Sequence, residues 1–135
     1  MSGAPQWAAR FIGIPFADQG HDFTGCNCWG LVHLVLKHRA GVDVPTYGEV
    51  SASDIVRANA LFETEAISGP WIEAGEPLRV FDVVLLRGNP LHAGIVIAEN
   101  LLLHVWRSPS SAAMRLDHPL IRSKRIACYR HMDLR

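Results

Sequence analysis

With 135 residues, 49% of them hydrophobic and 19% charged, the chain has the size of one globular domain with a core of its own. Thirteen basic residues balance thirteen acidic ones, which excludes the strong positive field of a dedicated nucleic-acid binder. No apolar run reaches the ~20 residues needed to cross a bilayer, so membrane insertion is not expected.

The start of the chain mixes Gln6, Trp7 and Arg10 among small residues, without a basic n-region or a continuous apolar stretch, so no signal peptide is expected. Trp7, Phe11 and Ile12 at helical spacing predict a short helix over residues 5–12, broken by Gly13 and Pro15. A polar, glycine-bearing loop follows over residues 16–25. CWGLVHLVLKH, residues 28–38, places Leu31, Leu34 and Val35 on one face with Val32 and Leu36 beside them, which predicts an apolar helix that begins at Cys28 and is stopped by Gly41. Ser51 and Asp54 are spaced as a capping box and predict a second helix over residues 54–65, anchored by Leu61 and Phe62.

The hydrophobic period then changes. VFDVVLL (residues 80–86), HAGIVIA (residues 92–98) and LLLHVW (residues 101–106) are short, β-branched and apolar, and turn residues separate them, so they predict three consecutive antiparallel strands. A further strand is expected over residues 125–130, and residues 114–116 are another candidate. Helices first and a meander after them predict a single α+β domain over residues 1–135, with N-terminal helices packed on an antiparallel sheet.

Cys26, Cys28 and Cys128 cannot all pair, and without an export signal a disulfide framework is not expected. Cys28 stands where a loop turns into a helix, so unsatisfied backbone N–H groups and the positive end of the helix dipole favour its thiolate. A cysteine nucleophile needs a proton carrier, and histidine is the side chain whose pKa suits that exchange. Among seven histidines, His92 opens a strand directly after a turn, and His104 lies on the next strand of the same hairpin, where it can orient His92. This constellation follows the nucleophile, base and orienting-group logic that recurs on unrelated folds. On spacing alone, a buried cysteine with two histidines at the edge of the core is the favoured reading.

In this order, GCNCWGLVHLVL (residues 25–36), FDVVLL (residues 81–86), HAGIVIA (residues 92–98) and LLLHV (residues 101–105) resemble the NlpC/P60 family of papain-like cysteine peptidases. The likeness runs from Ile14 to around Arg107. It matches an Asp-Cys-x-Gly-Leu-Val helix start, a Gly-Asp-Leu-Val strand, a His-Val/Ala-Gly-Ile strand and a strand that ends near a second polar residue. The resemblance implies Cys28 as nucleophile, His92 as general base and acid, and His104 as the group that fixes the imidazole. Gly13-Ile14-Pro15-Phe16 is similar to the family's Gly-x-Pro-Tyr, and Cys26-Asn27-Cys28-Trp29 looks like versions from phage tail and gene-transfer-particle peptidases. Phe16, Asn27 and Trp29 depart from the common tyrosine, aspartate and serine. Losing the tyrosine hydroxyl removes a possible oxyanion donor, and such a loss lowers rates ~10²–10³-fold.

The implied reaction is hydrolysis, without a cofactor or metal, of D-Glu to diaminopimelate amide bonds in peptidoglycan stem peptides. The implied setting is a virion or tail-like particle, with tail-tip or hub proteins as partners and synthesis in the cytoplasm. Phe16, Trp29 and Arg107 are the expected substrate contacts, with Ser108, Ser110 and Ser111 beside Arg107. Two other readings stay open. His21, Cys26, Cys28 and Cys128 are of the type that binds zinc, although their spacing is not that of a C-x₂-C site. A structural tail-tip or hub protein could also retain this fold and dock through Trp7, Trp71 or Trp106.

Overall fold

The computed structural model describes residues 3–44, 70–88, 91–105 and 110–134. The expected helix over residues 54–65 lies outside them, as do Trp106, Arg107 and Ser108.

The expected N-terminal helix is a tight 3-10 segment, Gln6–Phe11, which buries Ala8 and Phe11. A two-strand hairpin, β1 (His21–Asp22) and β2 (Gly25–Cys26), leads into helix α1, Cys28–Val35. Asn27 caps α1 with extended backbone, and every residue from Trp29 to Val35 is buried. A wider helical turn, Leu36–Ala40, continues it and ends at Gly41, whose left-handed φ of 69° lets its N–H bond the Leu36 carbonyl. The predicted start and stop of this helix therefore hold.

The remaining strands are β3 (Trp71–Glu73), β4 (Val83–Leu86), β5 (His92–Ala98), β6 (Leu101–His104), β7 (Ala112–Arg115) and β8 (Arg125–His131). They form one antiparallel sheet in the order β3-β8-β4-β5-β6-β7. The chain runs as a meander from β4 to β7. Helix α2, Pro119–Lys124, then returns it to β8 on the far side of β4.

Strand alternation divides the core. Val83, Leu85, Ala93, Ile95, Ile97, Leu101 and Leu103 join the α1 residues in the main cluster. Val84, Leu86, Val96 and Leu102 face a smaller cluster closed by Leu116, Ile121 and Cys128. Because both faces are covered, β4 and β5 read as nearly continuous apolar runs, although their pairing is antiparallel.

Two boundaries differ from expectation. The strand predicted from Val80 begins at Val83, because Phe81 takes a left-handed φ of 78° and the buried Asp82 is held in a turn. The strand predicted to reach Trp106 ends at His104. No helix among the described residues is long and apolar enough to cross a membrane.

Candidate active site

The start of α1 is built from three neighbouring features. Asn27 Oδ1 accepts the Gly30 N–H at 2.7 Å, which satisfies one of the donors that a helix start leaves open. Leu31 N–H closes the first turn on the Asn27 carbonyl at 3.0 Å. Gly30 is required because a Cβ there would overlap the Gly20 carbonyl and lie 2.9 Å from His21 Cα. Gly30→Ala is expected to push the loop off the helix and lower stability by ~1–3 kcal/mol, read as a lower denaturant midpoint with an unchanged slope.

Cys28 is the first residue of α1, and the nearby backbone N–H groups of Ala93, Trp29 and Cys28 itself act to lower the pKa of its thiol. These donors favour the thiolate, as expected of a helix start. Burial acts more strongly in the other direction and pushes the thiol up from its ordinary value, so the resting group is the thiol. The sequence-based expectation of a stabilised thiolate is corrected on this point.

Ala93, whose amide acts on the Cys28 thiol, directly follows His92, the first residue of β5, so strand and helix bring residues 28 and 92 to adjoining positions. The register Ile95↔Leu103 makes His92 and His104 diagonal neighbours across β5 and β6. His92 Nε2 lies 3.2 Å from His104 Nδ1, with the rings edge to face at 82°. Both are buried, 5% and 4% exposed, and this decides their charge. Burial, with His104 adding to it, pushes His92 down to about 3, and burial pushes His104 down as well. Two neutral imidazoles can share one hydrogen bond, whereas two cations could not.

The other expected contacts fall in different places. Trp29 is only 8% exposed and packs edge-on against Trp71, with centroids 5.8 Å apart, so its indole belongs to the core. Phe16 is half-buried against that core and bridges Cys26 through its backbone. Arg107 lies outside the described residues. Ser111 is a structural link: its hydroxyl donates to the Phe11 carbonyl at 2.6 Å and accepts the Ile14 N–H at 2.9 Å.

The remaining histidines have structural partners. His33 Nδ1–H donates to the Val44 carbonyl at 2.8 Å, and His118 Nδ1 caps α2 by accepting the Leu120 N–H. His131 stacks edge-on with Trp71, and His38 with Phe23. The zinc reading fails on geometry, since Cys26 lies in the main cluster and Cys128 in the smaller one on the opposite face of the sheet. Burial, with Cys28 adding to it, pushes the Cys26 thiol up to about 12, so it stays protonated.

Sequence reading missed the Ala93 amide, which carries no side-chain signature. It also missed the full role of Asn27, although an asparagine just before an apolar helix is a recognisable cap.

No family model matches the chain, and neither does any curated protein. Solved structures do match. The NlpC/p60 domain of the peptidoglycan hydrolase SagA superposes with a TM-score of 0.59 at 17% identity, covering 91% of this chain and 92% of that one. A lipoprotein-like member of the NLP/P60 family from Staphylococcus aureus superposes with a TM-score of 0.61 at 19% identity, covering 93% of this chain and 39% of that one. The chain therefore spans well under half of the staphylococcal protein, and what it shares with both is the α+β NlpC/P60 fold.

Proposed function

We propose that this chain is a cysteine hydrolase that cleaves amide bonds in peptidoglycan stem peptides. The observation that supports it best is Cys28 at the start of α1, under the influence of the Ala93 amide that follows His92 in the paired His92–His104 arrangement. The fold shared with a peptidoglycan hydrolase domain supports the choice of substrate.

With both groups neutral at rest, His92 acts as a general base during attack rather than as half of a preformed ion pair. In the tautomer whose Nε2–H donates to His104 Nδ1, Nδ1 of His92 is left to take the thiol proton. The sulfur bonds to the scissile carbonyl carbon, the C–N bond breaks, and the imidazolium returns the proton to the leaving amine. Water then attacks the thioester, giving up its proton to His92 and regenerating the Cys28 thiol. The backbone N–H groups of Cys28 and Ala93, which act on the sulfur, are the candidate donors for the oxyanion in place of a tyrosine hydroxyl.

The finer reading is cleavage between D-Glu and diaminopimelate by a component of a phage tail or tail-like particle, where the chain would contact tail-tip or hub proteins. The motif around Cys26-Asn27-Cys28-Trp29 supports it. Purified chain incubated with cell walls is expected to release new amino groups and muropeptides ending at that bond, and Cys28→Ala is expected to release none. Walls left intact by the wild type, with particles that fail to assemble without the chain, would replace this reading with a structural one.

A further inference from the structure

We propose that the Asn27 carboxamide is the positioning group for Cys28, acting by clamping the loop of residues 17–20 over the first turn of α1. This rests on Cys28 being the nucleophile. Asn27 makes three bonds next to that residue. Its backbone N–H donates to the Gly20 carbonyl at 3.1 Å, its Nδ2–H donates to the Asp18 carbonyl at 2.9 Å, and its Oδ1 accepts the Gly30 N–H at 2.7 Å. The loop is tied at its other end as well, with Gly20 N–H on the Ala17 carbonyl and Ala17 N–H on the Cys26 carbonyl.

A neutral amide is the side chain that fits both contacts, because it carries an acceptor for the helix and a donor for the loop. A carboxylate would still cap α1, but it would set a lone pair against the Asp18 carbonyl. It would also place a negative charge one residue from the sulfur. A serine would still cap, but it is too short to reach the loop carbonyl.

Two variants separate clamping from capping. In Asn27→Ser, the Gly20 and Asn27 amides are expected to exchange hydrogen at least ~10-fold faster while the interior of α1 keeps its protection. In Asn27→Asp, the pH midpoint for iodoacetamide alkylation of Cys28, read by fragment mass, is expected to rise by ~1 unit. His21 and Asp22 on β1, Cys26 on β2 and His92 on β5 are titratable neighbours of α1 common to every variant, so this rise reports the new carboxylate. In wall cleavage, Asn27→Ser is expected to lose ~10-fold or more in kcat with KM unchanged. Unchanged loop exchange in the serine variant, or an unmoved midpoint in the aspartate variant, would reduce Asn27 to an ordinary helix cap. A wild type that leaves walls uncut would sink the proposed function, while the exchange and alkylation results would still decide the clamp.

Discussion

His92→Gln is expected to lower kcat for wall-peptide cleavage by ~10²–10⁴-fold while the chain keeps its fold. Glutamine can still place a polar atom against His104 Nδ1, where His92 Nε2 now lies at 3.2 Å, but it cannot accept the thiol proton. The pH profile tests the same assignment. Because burial holds His92 near 3, the base stays neutral through mildly acidic pH, so the acid limb of kcat/KM should fall well below the ordinary histidine value of ~6.5. An acid limb at ~6.5 would overturn the neutral thiol–imidazole pair. Stability carries the same signature. Between the unfolded value of ~6.5 and the folded value, the unfolded chain binds a proton that the folded chain refuses, so stability falls as the pH falls through that window. His92→Gln should flatten this part of the curve, which thermal melts between neutral and acidic pH would show.

How much of this was legible depended on whether a feature was local. HAGIVIA lies between turn residues, and β5 occupies those residues, His92–Ala98. Cys28, where a loop turns into an apolar run, and Gly41 after it bounded the helical segment for the same reason. Pairing β8 with β4, and β3 with β8, joins segments far apart in the chain, and no short-range pattern specifies such partners. Trp71–Glu73 is too short to show alternation, and the six residues of α2 announce themselves only through Pro119 behind its His118 cap. In the site, the residue types and the hairpin spacing brought His92 and His104 together before any coordinates did. The protonation state was not legible, because it depends on burial by residues distant in sequence. This is why the helix start suggested a thiolate where burial keeps a thiol.

Arg130→Ala is expected to destabilise the chain by ~3–5 kcal/mol, because it leaves a buried carboxylate without its cation. Arg130 Nε and one terminal nitrogen each contact a carboxylate oxygen of Asp82 at 2.7 Å, and the Asp82 side chain is 1% exposed. The same carboxylate accepts the Arg79 N–H at 2.8 Å, so it also fixes the turn that carries the left-handed Phe81. Backbone bonds then lock this turn to β5, with Phe81 N–H on the Val96 carbonyl and Val96 N–H on the Asp82 carbonyl, each at 2.8 Å. The ion pair therefore anchors the beginning of β4, whose other end pairs Leu86 with His92. Urea unfolding should show a large drop in midpoint for Arg130→Ala, and a smaller one when Asp82→Leu is added, since an apolar pair removes the stranded charge. If Arg130→Ala lowered the unfolding free energy by less than ~1 kcal/mol, the pair would behave as a solvated surface bridge, and the turn would owe its shape to the backbone bonds alone. Because the pair acts on the strand beneath His92 and not on the reacting atoms, the folded fraction of Arg130→Ala should keep a wild-type kcat at low temperature and lose activity only as it unfolds.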